Sequence, residues 1–311
     1  MIDLHPDLEL TPEEAERILE AWLGGPVRCS EIRRLQGGLV NSVFRLEFDR
    51  SPHRAVVKLH GREGDPFSEE ARALEYLRAR TACPVPDVHL HDNSGRLVAH
   101  ACLLLEYIPG VCLETLDLGA TERADVDTQL ADILGDLHTH TGTNWGRVDV
   151  DEGYSTWSDL VVARLVDVRA RPAVAERLAP EVLTRVDDAI GLTPTVLRGS
   201  GPPTLVHGDV WDGNVMVRHE DGRLRVAGLL DPDLRFADPE LELAYLEVFD
   251  TRREAFFDAY AQHHEVHAGY ERRRLFYWLH TALVHVALFG DEFFCEFTAR
   301  TAEQIGELAP T

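Results

Sequence analysis

Basic residues are scarce in this chain: 31 Lys and Arg stand against 54 Asp and Glu over 311 residues, a formal charge of −23. A surface that acidic repels phosphate backbones and anionic headgroups, so neither nucleic acid nor a membrane is expected as a partner. Cysteine is scarce too. Cys29, Cys83, Cys102, Cys112 and Cys295 are scattered without a CxxC pair, which excludes a zinc ribbon or disulfide framework and predicts reduced thiols in a cytoplasmic protein. No apolar run approaches the length a spanning helix needs. The opening MIDLHPDLEL lacks the basic-then-apolar order of a signal peptide. The acidity does not exclude a small polyanionic ligand, because screening over about 8 Å leaves local groups to decide.

What is present is ordinary for a soluble enzyme, 44% apolar and 27% charged, and long enough for two lobes. TPEEAERILEAWLGG predicts a capped helix, with Thr11 and Glu14 as a capping box, Pro12 in the first turn and Gly24-Gly25 as the stop. The period then switches to two. CSEIRRLQ, SVFRLEF and HRAVVKLH read as strands, with Phe44, Leu46 and Phe48 on one face of the second. DPFSEEARALEYLRAR returns to helical spacing, with Phe67, Ala71, Leu74 and Leu77 on one stripe, and VAHACLLLEYIPG reads as a buried strand ending at a Pro-Gly break. Beyond it helices are predicted over 121–140, 157–170, 174–190, 239–249, 252–264 and 270–289, interrupted by a short β unit at 204–231. The expected architecture is α+β: a β-rich N-lobe over 1–106, a hinge near 106–110 and a helical C-lobe over 107–311.

The sharpest stretch is VHGDVWDGNVMV, which puts His207, Asp209 and Asn214 on a loop entering a strand. After an Asp-Gly turn, the strand LRVAGLL delivers Asp231, and hairpin geometry returns its end to the start of the strand NVMV. A few hard oxygen ligands describe a magnesium site that keeps room for water and phosphate. A loop Asp that accepts a hydroxyl proton, with an Asn and a second Asp on the metal, is the arrangement of kinases. A solvated polar turn is the plain alternative.

HGDVWDGN resembles the HGDxxxxN loop of aminoglycoside phosphotransferases, and its Trp211 makes it similar to the HGDLWSGN of fructosamine (ketosamine) kinases. DPDLRFADPELELAYLEVF, AFFDAY and YERRRLFYWLHTALVHVALFG resemble later segments of the same family, so the resemblance covers nearly the whole chain. It implies the bilobal protein-kinase-like fold, with Asp209 as catalytic base, Asn214 and Asp231 on Mg2+, and ATP as phosphoryl donor. Lys58 in VVKL would bridge the ATP phosphates, held by Glu70 of the family pattern E-A-x-x-L, or by Glu69. LQGGLVNS resembles the phosphate-covering loop, nominating Gly37, Gly38, Asn41 and Ser42, although a plain hairpin turn explains it as well. Family members often carry a cysteine just after the glycines, where this chain has Leu39. LLLEYIPG resembles the segment whose backbone pairs with adenine, here Glu106, Tyr107 and Ile108. His207 is expected to brace the loop, and Glu242 in ELELAY matches an acidic residue that anchors it. His285 aligns with a histidine facing the sugar.

The implied reaction is phosphorylation of the C3 hydroxyl of a ketosamine, free or on a glycated protein lysine, followed by spontaneous loss of the sugar, a deglycation repair. Another amino-sugar or aminoglycoside O-kinase is the alternative within the class. A pseudokinase acting as an interaction module is the alternative outside it, and the full set of Lys58, Asp209, Asn214 and Asp231 argues against that. Asp212, Asp233 and Val284 depart from the family's usual residues. The two acids, with Trp211 beside the sugar, would favour a cationic substrate amine, or they are surface changes in an acidic protein with Trp211 packed under the loop. His263 and His267, four apart with His264 adjacent, can face a metal from a helix or simply be a solvated helix end.

Overall fold

The computed structural model describes residues 8–35, 41–61, 64–148, 153–199, 201–249 and 254–308. In chain order the elements run α1 (Pro12–Leu23), β1 (Cys29–Arg34), β2 (Ser42–Phe48), β3 (Arg54–His60), α2 (Phe67–Arg80), β4 (Val88–Asp92), β5 (Ala101–Glu106), β6 (Val111–Cys112) and α3 (Ala120–Leu137). Then follow β7 (Gly146–Arg147), α4 (Trp157–Arg169), α5 (Pro172–Arg177), α6 (Pro180–Val196), β8 (Thr204–Val206), β9 (Val215–Glu220), β10 (Arg223–Leu229) and β11 (Arg235–Ala237). The last four are α7 (Glu240–Val248), α8 (Glu254–Tyr260), α9 (Tyr270–Leu288) and α10 (Glu292–Glu307).

Packing divides these into two units. The sheet unit spans Asp3–Leu118 with Asp212–Pro232, and the helical unit spans Gly119–Trp211 with Asp233–Thr311. The sheet unit therefore runs past 106/107, and the segment 106–110 lies inside it. The cause is pairing: β6 joins β9 through Val111↔Val217, which draws the β9–β10 hairpin into the sheet unit.

The sheet unit is built on a five-stranded antiparallel sheet in the order β1-β2-β3-β5-β4. On β2, Ser42, Phe44, Leu46 and Phe48 are buried in strict alternation, as its period of two requires. β3 is central and largely buried on both faces, which makes Lys58 a charge set into a core strand. α1 begins with the predicted capping box: Thr11 Oγ1 accepts from Glu14 N and Glu14 Oε2 accepts from Thr11 N. Phe67, Ala71, Leu74 and Leu77 of α2 are all buried, as their i, i+4, i+7 spacing requires.

The helical unit centres on α9, whose residues Phe276, Tyr277, Leu279, Leu283 and Val286 pack with Trp157, Leu165, Val186 and Ile305. β8 and β11 pair antiparallel, Val206↔Arg235 and Leu205↔Phe236, so the entry and exit of the intervening segment are stapled side by side. Two helical expectations differ from the structure. The span 174–190 is two helices, because Ala179, the residue before Pro180, takes an extended conformation (ψ 149°) that breaks the helix. α10 was not anticipated, although Gly290 and Asp291 supply a stop and an N-cap that accepts from Phe294 N.

Candidate active site

In the sheet unit, Lys58 Nζ lies 2.7 Å from Glu70 Oε1 and also donates to Asp231. Three distant parts of the chain, a strand, a helix and a hairpin end, thus meet at one ammonium. Glu70 is the partner; Glu69 beside it is exposed. Burial alone would lower the Lys58 pKa, but the two carboxylates outweigh it and hold the ammonium above its usual range. Burial lifts the Glu70 carboxyl, and the Asp231 charge lifts it further against the pull of Lys58.

The hairpin closes as its spacing implies. Val215 pairs with Leu229, and Leu230 N donates to Asn214 O at 2.8 Å. The two ends, bearing Asn214 and Asp231, are therefore neighbours. Asp231 has φ of 53°, a left-handed conformation that few non-glycine residues adopt and that clusters at functional sites. One carboxylate and one amide make no cage, and among the described residues no group of three His, Cys, Asp or Glu draws together as one. That donor set, hard and incomplete, fits magnesium, which keeps waters and takes phosphate oxygens.

In the helical unit, β8 delivers His207, fully buried, and then Gly208 with φ of 86°. A Cβ at Gly208 would sit 2.4 Å from the carbonyl oxygen of Asp233, so the loop admits only glycine there. Asp209 N donates to His207 Nδ1 at 3.4 Å, a long contact consistent with a brace. Glu242 on α7 accepts from Gly208 N (2.7 Å) and His207 N (3.2 Å), and His138 Nε2 donates to it at 2.9 Å. Tyr260 Oη meets the other nitrogen of His138 at 2.7 Å. Burial would push the Glu242 carboxyl up; the hydrogen bonds from His138 and Gly208 prevail and hold it below the usual range. One turn along α7, Tyr245 donates to Asp209 Oδ1. Burial and then the Asp209 charge push the Tyr245 phenol far up, so it stays a donor.

Neither Tyr245 nor His138 was singled out by sequence. Tyr245 had a usable signal, because a residue three after Glu242 on a helix shares its face. His138 had none, since its partners come from two other helices.

The remaining candidates fall as follows. Trp211 and Asp212 are half-buried, and Cys112 Sγ lies 3.4 Å from Asp212 O. Asp233 is ion-paired with Arg235 and lies 3.9 Å from Arg164. Asn41 Oδ1 faces His60 Nδ1 at 2.9 Å, and Ser42 Oγ accepts from Arg34 at 3.1 Å. Gly37, Gly38 and Leu39 lie outside the described residues. Glu106 ends β5, its carboxylate accepting from Asp87 N (3.1 Å), while Tyr107 carries Arg54 over its ring and Ile108 packs against Gly228. His285 donates to Thr281 O at 2.9 Å and stacks on Phe294 at 4.2 Å, with burial lowering its pKa. His263 binds Asp132 (2.8 Å) and His264 binds Gly135 O (2.7 Å), so these two rings face different partners and make no common metal face.

The sequence model for fructosamine kinases matches residues 12–305. The chain belongs to the fructosamine kinase family. It is accordingly a phosphotransferase. It is 28% identical over 283 residues to a probable ketoamine kinase of Synechocystis, covering 86% of this chain and 88% of that one. It is 25% identical to a probable ketoamine kinase of Staphylococcus aureus, covering 88% and 93%. The fold is similar to a crystal structure assigned as a fructosamine-3-kinase candidate from Haemophilus somnus, with TM-score 0.74, 18% identity, and 94% and 96% of the chains covered. It is also similar to a thermostable mutant of aminoglycoside phosphotransferase APH(4)-Ia in ternary complex with AMP-PNP and hygromycin B, with TM-score 0.67, 18% identity, and 96% and 99% covered. The α+β kinase-like expectation holds. Among the described residues no helix is long and apolar enough to cross a membrane.

Proposed function

We propose that this kinase transfers the γ-phosphoryl group of ATP to a sugar hydroxyl of a ketosamine, the C3 hydroxyl implied by its family. The observation that carries the reading is the Lys58–Glu70–Asp231 cluster, in which a left-handed hairpin residue, a core strand and a helix converge on one ammonium. Magnesium, held by Asp231 and Asn214, would supply charge neutralisation on the phosphates. Lys58, fixed by Glu70, orients the phosphates. Backbone groups of Glu106, Tyr107 and Ile108 receive the adenine, and the backbone at Gly37, Gly38, Asn41 and Ser42 covers the phosphates. At the acceptor, Asp209 takes the hydroxyl proton as the oxygen forms its bond to the γ-phosphorus; the bond from that phosphorus to the β–γ bridging oxygen breaks, and ADP leaves. Tyr245 fixes Oδ1 of Asp209, while Glu242 and His207 hold the loop that presents it. Trp211 and His285 are the residues proposed to meet the sugar, with Asp212 and Asp233 near its ammonium.

The relatives named as ketoamine kinases support the acceptor class. Glycated lysine on protein surfaces, and with it a repair role in the cytoplasm, belongs to the same proposal. The test is a phosphorylation screen with ATP and magnesium over ketosamines, amino sugars and aminoglycosides. Magnesium-dependent ADP release with ketosamines is expected; turnover confined to aminoglycosides would replace this reading with the antibiotic-kinase one.

A further inference from the structure

Arg164, which no sequence motif singles out, lies on α4 with its side chain 30% exposed. Its Nε donates to His280 Nε2 at 3.2 Å, leaving the histidine proton on Nδ1. Burial, and after it the Arg164 charge, hold His280 well below its ordinary pKa, so the ring serves as a neutral acceptor that sets the guanidinium plane. The carboxylate facing Arg164 is that of Asp233, 3.9 Å from Nη2 and beyond hydrogen-bond range. Asp233 is shared, because Arg235 is ion-paired with it and also donates Nε to the Asp233 carbonyl oxygen at 3.1 Å. Two guanidiniums thus stand around one carboxylate in a chain of net charge −23. Among the described residues, neither Nη group of Arg164 has a hydrogen-bond partner. The cluster adjoins the catalytic loop: the Asp233 carbonyl is what a Cβ on Gly208 would strike, and Asp209 is the next residue.

We propose that Arg164 and Asp233 form a subsite for a zwitterion, with the Nη fork of Arg164 taking a carboxylate and the half-exposed Asp233 taking the adjoining ammonium. The preferred acceptors are then ketosamines built on the α-amine of a free amino acid, which carry a carboxylate directly beside the glycated nitrogen. A ketosamine on a protein lysine side chain has no such group. The planar fork of an arginine pairs two parallel N–H groups with a carboxylate.

This rests on the ketosamine-kinase reading, and the experiment separates the two. The full chain is assayed with ATP and magnesium on fructosyl-glycine and on fructosyl-ethanolamine, which differ in the carboxylate alone. The wild type is expected to prefer fructosyl-glycine by at least about 10-fold in kcat/KM, the gain of one charge-assisted pair. In Arg164→Gln that ratio is expected to fall below about 3, and Arg164→Lys, charged but without the fork, falls between. The ratio is insensitive to how much of a variant is folded, so a partly unstable variant still reports. Equal use of both acceptors by the wild type, or an undiminished preference in Arg164→Gln, would overturn the subsite while leaving the kinase standing. Phosphorylation of neither acceptor would overturn the ketosamine reading and this subsite with it.

Discussion

In the sheet unit Lys58, Glu70 and Asp231 reach one another through side chains carried on a strand, a helix and a hairpin, whereas in the helical unit the loop at 207–209 is gripped largely through its backbone. The first arrangement is a set of charges that, on the proposed assignment of Lys58 to phosphate and Asp231 to metal, would rearrange around a ligand. The second is a fixed support. Glu242 is fully buried and takes two loop N–H groups plus His138, and none of those bonds needs to change when a substrate binds. A buried carboxylate with all its neighbours donating is costly to disturb, because each orphaned partner costs about 1–3 kcal/mol. Under the proposed function, nucleotide binding and proton transfer are then separately mounted, and mutation should pull them apart.

The largest separation is expected at Asp209. Asp209→Asn should lower kcat by roughly 10²–10⁴, the share of general-base catalysis, with nucleotide affinity within a few-fold of wild type. Near-normal turnover of that variant would remove Asp209 as the base. Next comes the opposite case. Asp231→Asn should weaken magnesium-dependent nucleotide binding by about 10–100-fold, as loss of a charged ligand bond of 1.5–3 kcal/mol requires; titration calorimetry with and without metal reads it, and a loss equal in both conditions would refute the metal role. A smaller effect is expected from Tyr245→Phe, which removes the donor on Asp209 Oδ1 without touching the sheet unit. Its kcat should fall about 3–10-fold with the KM for ATP held, and a change in KM alone would show that the hydroxyl positions nothing at the base.

The last concerns pH. His280, whose folded pKa is depressed, contributes stability that is complete above its unfolded value of 6.5 and is lost as pH falls below it. Glu242, likewise depressed, contributes stability that is complete above 4.5 and is lost as pH falls through its lower folded pKa. Because the raised Glu70 carboxyl adds stability as pH falls, each loss should show as a difference in urea midpoint between wild type and variant. His280→Asn should lack the upper loss and Glu242→Gln the lower. A wild-type midpoint no more pH-dependent than that of His280→Asn between pH 7 and 4.5 would contradict the first assignment, and one no more pH-dependent than that of Glu242→Gln below pH 4.5 the second.

Much of this was legible beforehand wherever the deciding interaction is local. The capping box of α1, the alternation on β2 and the stripe on α2 each depend on residues within a few positions, so periodicity exposes them. The closure of the β9–β10 hairpin was legible because a tight turn fixes register. The family pattern pointed to Glu70 ahead of Glu69, but local spacing could not decide between them, because both lie in the first turn of α2 and only the helix's rotation against β3 turns one of them toward Lys58. The split of the predicted helix 174–190 was readable from Pro180, whose effect on the preceding residue the periodic pattern masks.

The sequence by itself determined the chemistry available: which acids, which amide, which lysine, and in what order along the chain. Those follow from residue type and short spacing, which the covalent chain carries directly. Tertiary structure decided which of them are partners. It set Tyr245 on Asp209, placed Tyr260 and His138 behind Glu242, and left Arg164 facing an Asp233 already shared with Arg235. The pairs Tyr245–Asp209, His138–Glu242 and His138–Tyr260 join residues 36 to 122 positions apart, and Arg164 meets Asp233 from another element altogether. No local period encodes such a meeting; it exists only once helix packing and strand pairing have fixed the distance between them.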